Sequence, residues 1–206
     1  MGTIAVIDYG MGNLHSVAKA LQKVAPSKLI TITSNKKQIK NAERIVLPGV
    51  GAIGDCKNAL VERGLKKVIL ENSKDKPTLA ICVGMQLLLE HSEENNGTKA
   101  LGILNGRVTK IPHSKTIKVP HIGWNKVKQT VNHNMWTNIP DDSFFYFVHS
   151  YCCLNSTHAA AETEHGINFI SAFASNNIFG VQFHPEKSQK VGLRIYQNFI
   201  KWNGVD

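Results

Sequence analysis

The sequence lacks any apolar run approaching the ~20 residues that a membrane span requires, and Met1 leads straight into Thr3-Ile4-Ala5-Val6-Ile7 without a basic region or cleavage site. A cytoplasmic protein with no membrane association is expected. Cysteine is scarce. The four residues Cys56, Cys82, Cys152 and Cys153 follow no framework spacing, and the adjacent pair could close only a strained ring, so reduced thiols are expected rather than structural disulfides. The nine histidines show no pair at helical i, i+4 or other ligand spacing, which argues against a metal hydrolase and predicts no metal site. The net charge of +9 comes without aromatics interleaved among the lysines, which are scattered from Lys36-Lys37 to Lys128, so a nucleic-acid partner is not expected. No internal repeat, low-complexity tract or Pro/Gly/Ser linker interrupts the 206 residues, and one domain over 1–206 is the simplest account.

What is present is the composition of a folded globular chain, 42 % hydrophobic and 19 % charged. Thr3 to Ile7 is a short β-branched run, followed by helical spacing of Leu14, Val17, Ala18 and Leu21 between Asn13 and about Val24. The rhythm returns at Ile30-Thr31-Ile32, at Arg44 to Leu47, and at Thr78 to Ile81 before a helical Met85 to Leu89. Such alternation predicts a parallel sheet covered on both faces. Beyond residue 105 the strand candidates shorten (Arg107 to Thr109, Phe144 to Val148, Ile170 to Ala174, Ile178 to Phe183) and suggest an antiparallel extension. An amphipathic helix from about Gln189 to Trp202 closes the chain.

Three features carry chemistry. Ala80-Ile81-Cys82-Val83-Gly84 places a cysteine among small residues between strand and helix, the thiol form of a nucleophile elbow. A helix N-terminus there favours thiolate, although a free cysteine is commonly just a small buried hydrophobe. His184-Pro185-Glu186 ends another strand with a base and a carboxylate that could orient it, although the same tripeptide also makes an ordinary strand-ending turn. Leu47-Pro48-Gly49-Val50-Gly51-Ala52 could aim backbone N–H groups at a developing oxyanion, or be a plain glycine turn. Gly10-Met11-Gly12 is a poor dinucleotide motif, since His15 stands where the third glycine belongs.

Taken together, Ala80 to Gln86 with Phe183 to Glu186 resemble class I glutamine amidotransferases. Within that family Asp8 to Asn13, Leu47 to Ala52, Val119 to Asn125, Phe145 to Tyr151 and Glu186 to Gln189 are similar to the glutaminase subunits of imidazole glycerol phosphate synthases. The resemblance spans essentially the whole chain and implies a flavodoxin-like three-layer sandwich, its central mostly parallel sheet extended by antiparallel strands. It implies a Cys82–His184–Glu186 triad that needs no cofactor, an oxyanion loop at Gly49, Val50 and Gly51, and Gln86, Glu94, His149, Ser150 and Tyr151 around L-glutamine. Asn13, Trp124 and Lys187 would face a (β/α)8-barrel cyclase in a heterodimer, where ammonia passes through the barrel to yield imidazole glycerol phosphate and aminoimidazole carboxamide ribotide in histidine biosynthesis. Trp124 could instead be a core aromatic and Lys187 a solvated charge. Two positions depart from the family pattern: Ala80 stands where glycine is usual, and Cys152-Cys153 follows Tyr151. Related glutaminases feed sugar amidation in surface-polysaccharide synthesis, which leaves the acceptor open. The cysteine-elbow chaperones and deglycases place histidine directly after the nucleophile, where this chain has Val83.

Overall fold

The structure, a computed structural model, describes residues 2–115 and 117–205; the ends of the expected 1–206 unit, Met1 and Asp206, lie outside the described residues. From the amino end the elements are β1 (Thr3–Ile7), α1 (Leu14–Val24), β2 (Leu29–Thr33), α2 (Lys36–Asn41), β3 (Arg44–Gly49), α3 (Ile53–Glu62), α4 (Lys66–Asn72), β4 (Thr78–Cys82) and α5 (Val83–Leu87). Then come β5 (His91–Ser92), β6 (Thr98–Lys99), β7 (Arg107–Lys110), β8 (His121–Gln129), β9 (Ser143–His149), β10 (Tyr151–Cys153), β11 (Ala159–Glu164), β12 (Asn168–Ser175), β13 (Ile178–Val181) and α6 (Gln189–Lys201).

Strands β2, β1, β3, β4 and β13 lie side by side and parallel. Their sequences show why. β4 is buried at every residue and β1 from Ile4 onward, the continuous apolar reading of strands covered on both faces. Past β13 the pairing turns antiparallel through β12, β10 and β7, and β5 and β6 finish the edge. Strand β11 leaves β12 to pair with β8, which forms an antiparallel ladder with β9. The fold is therefore α/β with a mixed, mostly parallel open sheet, as the strand rhythm and the resemblance both imply.

Differences from the sequence reading are local. The strand expected over Ile178 to Phe183 stops at Val181, and Gln182 and Phe183 leave the ladder to carry His184 toward the site. The expected Met85 to Leu89 helix sits two residues earlier, at Val83–Leu87. Strand β8 has no counterpart among the expected strands because its apolar content is low: of its nine residues only His121 and Val127 are buried.

Helix α6 buries Ile195, Tyr196 and Phe199 against the sheet, and Arg44 of β3 ties down its carboxyl end, Nε donating to Phe199 O at 3.1 Å and Nη2 to Trp202 O at 2.7 Å. Among the described residues no helix is long and apolar enough to cross a membrane. Asn198 fixes the same helix to the loop before β9, its Nδ2 donating to Met135 O at 2.9 Å and Thr137 O at 2.8 Å in a buried setting. Asn198→Ala leaves both carbonyls without that donor, and urea unfolding should show a loss of about 2 kcal/mol. A loss below ~0.5 kcal/mol contradicts this account of the helix anchor.

Candidate active site

The end of β4 turns directly into α5, and Cys82 makes the turn with φ 55° and ψ −114°. Positive φ is strained for a residue with a side chain, and such strain persists only where packing enforces it. Two glycines supply the enforcement. A Cβ on Gly84 would lie 2.0 Å from Leu47 O, and one on Gly49 would lie 2.5 Å from Gly84 N, so α5 crosses the end of β3 at backbone contact. Ala80 does not disturb this geometry, because it lies two pairs below Cys82, fully buried between Leu47 and Gly180.

His184 reaches the same point from the end of β13. Its Nδ1 bonds Glu186 Oε1 at 2.8 Å, and both side chains are almost wholly buried. The other ring nitrogen, Nε2, has no oxygen or nitrogen partner, and the ring interacts with Cys82. One ring nitrogen is thus held by the carboxylate while the other is left open. Burial opposes charge on His184, but Cys82 and then Glu186 outweigh it and raise its pKa from 6.5 to about 10.

Around these residues opens a cavity of about 260 Å³, a size suited to a small metabolite. Val50, Gly51, Gln86, Glu94, His149, Ser150 and Tyr151 all line it, so the structure brings the expected glutamine-site residues to one place. The roles differ in detail. Gln86 Nε2 donates to Tyr151 O and to Gln182 Oε1, each at 2.9 Å. Glu94 accepts from the Ile53 N–H at 2.9 Å, where a carboxylate complements the first turn of α3. His149 borders the cavity, yet both its ring nitrogens are engaged within the protein. The loop from Leu47 to Ala52 is held from behind, with Tyr9 Oη donating to Pro48 O at 2.6 Å and Cys56 Sγ to Val50 O at 3.3 Å.

Asn13 lies beneath the triad, its Nδ2 donating to Glu186 Oε1 at 3.2 Å. Trp124 is 44 % exposed, so it is not a core aromatic, and its ring meets Tyr146 edge-on at 6.1 Å. Lys187 sits over the other ring of that pair, Nζ 5.6 Å from the Tyr146 centroid. Of the thiols, burial pushes Cys56 up to about 11, Cys152 up to about 12 and Cys153 upward, and neither Cys152 nor Cys153 lines the cavity.

Sequence reasoning missed two residues. Gln182, fully buried, donates from Nε2 to Cys82 Sγ at 3.7 Å. Its two-residue spacing from His184 on an extended segment was the available signal. Tyr196 interacts with Glu186 from α6, and burial first, then the carboxylate, holds its hydroxyl un-ionised. Its place beside Ile195 on the inner face of α6 gave no hint of a polar role.

Residues 5–202 match the family described as glutamine amidotransferase class-I. The chain belongs to that family. Among curated proteins this amidotransferase is 50 % identical over 208 residues, the full length of both chains, to the imidazole glycerol phosphate synthase subunit HisH of Nitrosococcus oceani. It is 49 % identical, over 99 % of both chains, to the protein of that name from Pseudomonas putida. Solved structures share the fold: a putative GMP synthase protein from Thermoplasma acidophilum superposes with TM-score 0.72 at 23 % identity, over 98 % of this chain and 93 % of that one. PurLQS from Thermotoga maritima gives 0.72 at 18 % identity, over 97 % and 98 %.

The electrostatics of the site set a pH window. A histidine raised above its unfolded value of 6.5 stabilises the fold fully below that pH, and the contribution is lost as pH rises through about 10. The urea midpoint of His184→Asn should therefore fall furthest below that of the unsubstituted protein at about pH 6.5 and below, with the gap narrowing through neutral pH toward pH 10. A gap that stays constant or widens contradicts an imidazolium at this position.

Proposed function

We propose that this chain is the glutaminase subunit of an imidazole glycerol phosphate synthase in histidine biosynthesis. The observation that carries this reading is the near 50 % identity over full length to proteins bearing that subunit's name. The buried Cys82–His184–Glu186 arrangement supplies the chemistry the name requires. We read residues 1–206 as one amidotransferase domain, which the continuity of the sheet from β2 to β6 supports.

In this mechanism the Cys82 thiolate adds to the carboxamide carbon of L-glutamine, and the carbonyl becomes an oxyanion against the backbone of Gly49, Val50 and Gly51. His184, as imidazolium, gives its proton to the departing nitrogen, and the carbon–nitrogen bond breaks to release ammonia and leave a glutamyl thioester. Water, giving a proton to the same ring, then cleaves the thioester to glutamate and restores the thiolate and the imidazolium. Glu186 accepts from Nδ1 throughout and stabilises the charged ring.

The partner is a (β/α)8-barrel cyclase that receives the ammonia and makes imidazole glycerol phosphate and aminoimidazole carboxamide ribotide. A docking face for it is available on β8 and β9, where Ile122, Trp124 and Phe144 are 60 %, 44 % and 51 % exposed beside Tyr146 and Lys187. Contiguous apolar exposure of this kind marks an interaction surface.

Replacing Cys82 with alanine in the reconstituted complex should abolish glutamate release while synthesis from added ammonium salts persists. Glutamate release at the original rate overturns the nucleophile assignment. Removing the exposed ring by Trp124→Ala should weaken partner binding about tenfold, measured by calorimetry, as expected for an aromatic anchor in an interface. Unchanged affinity places the interface elsewhere.

A further inference from the structure

His121 and Asn125 lie outside the cavity, on the inward-facing positions of β8, yet they are joined to its wall. Tyr151 O accepts from His149 Nδ1 at 2.9 Å, His149 Nε2 lies 2.9 Å from His121 Nδ1, and His121 Nε2 lies 3.3 Å from Asn125 Nδ2. Asn125 Nδ2 also donates to Glu164 O at 2.8 Å, and its Oδ1 accepts from the Lys126 N–H at 2.8 Å.

Both ends of this chain are backbone carbonyls, which can only accept. Glu164 O fixes the orientation of the Asn125 amide, so the second Nδ2 hydrogen points to His121 and makes His121 Nε2 an acceptor. His121 must then carry its proton on Nδ1 and donate to His149 Nε2. His149 in turn must carry its proton on Nδ1, as Tyr151 O independently requires. Only one arrangement of two neutral rings satisfies every partner, and from Asn125 to the cavity every bond is donated in the same direction.

We infer that His121 and Asn125 are positioning residues for glutamine, holding His149 so that its Nδ1–H, together with Gln86 Nε2, pins the Tyr151 carbonyl and the Ser150–Tyr151 wall of the cavity. This rests on the reading of that cavity as the glutamine site. The packing supports it: the His121 ring is stacked between Phe147 at 4.8 Å and His165 at 4.1 Å, which fixes its plane, while His165 is itself tethered through Nε2 to Lys118 O at 2.8 Å. Burial, then His149 and His165, push the His121 pKa down to about 3. Burial, with smaller contributions from His165 and His184, outweighs the Tyr151 hydrogen bond and pushes His149 down to about 4, so both rings stay neutral as the relay requires.

The test combines kinetics with spectroscopy. His121→Phe keeps the stacked ring and removes the donor to His149, whereas His121→Asn retains an N–H near the Nδ1 position. In the complex with the cyclase, H121F should raise KM for glutamine about tenfold, the loss expected when a buried acceptor is orphaned, with kcat changed less than about twofold. H121N should recover most of the affinity. Nitrogen-15 histidine spectra of the full chain near neutral pH should show both His121 and His149 protonated on Nδ1 alone. A folded H121F protein with unchanged KM overturns the inference, as does either ring carrying its proton on Nε2. If H121F does not fold, Asn125→Leu, at the half-buried outer end, should raise KM in the same manner, and unchanged KM there overturns it equally. Absence of glutamate release from the unsubstituted complex refutes the glutaminase reading instead, while the spectra still judge the relay.

Discussion

The site depends on one steric constraint: backbone contact between the end of β3 and the start of α5, where Gly49 and Gly84 leave no room for a Cβ. That contact forces Cys82 into its positive φ and brings the loop at Gly49 to Gly51 against the first turn of α5. A thiol lifted out of the sheet by a strained turn cannot relax into the core, and the loop beside it cannot drift away. The register of the parallel strands completes the placement, since Gly49 pairs with Cys82 while β13 pairs alongside β4 and delivers His184 from the next strand over.

The fold treats its buried histidines in opposite ways. His184 is buried, but a carboxylate and a thiol face it, and charge is favoured. His121 and His149 are buried among aromatic rings and other imidazoles without a carboxylate partner, and charge is suppressed. The difference is the partner rather than the depth. The first environment suits a ring that must move protons, and the second suits rings that must hold hydrogen bonds in one direction.

How much of this was legible in the sequence follows from the same physics. The strands β1, β3 and β4 announced themselves as apolar runs because both of their faces are covered, and Cys82, His184 and Glu186 were readable because a strained turn and a strand-ending proline leave local signatures. The strand β8 did not, since one of its faces meets solvent and Val127 is the one aliphatic side chain among inward positions that also hold His121 and Asn125. Gln182 and Tyr196 were hidden for a related reason. Gln182 meets Cys82 from 100 positions away, and Tyr196 meets Glu186 from the inner face of α6, and neither pairing is encoded by a local pattern. Asn13 was legible as a residue of interest, but its bond to Glu186 spans 173 positions and only the fold reveals it.

The strand that escaped notice links the two halves of the proposed function. Side chains alternate along β8, so Ile122 and Trp124 project outward to the face proposed for docking while His121 and Asn125 project inward to the cavity wall. A strand is stiff along its length, and a shift of its backbone moves both sets together. Displacing β8 relative to β9 alters the His121–His149 distance directly, because those two residues are paired across the ladder. Tyr151 O is held jointly by His149 and by Gln86, and Gln86 is bonded through Gln182 to Cys82. Contact at the outer face of one strand is thus two hydrogen bonds from the wall of the cavity and three more from the sulfur of Cys82.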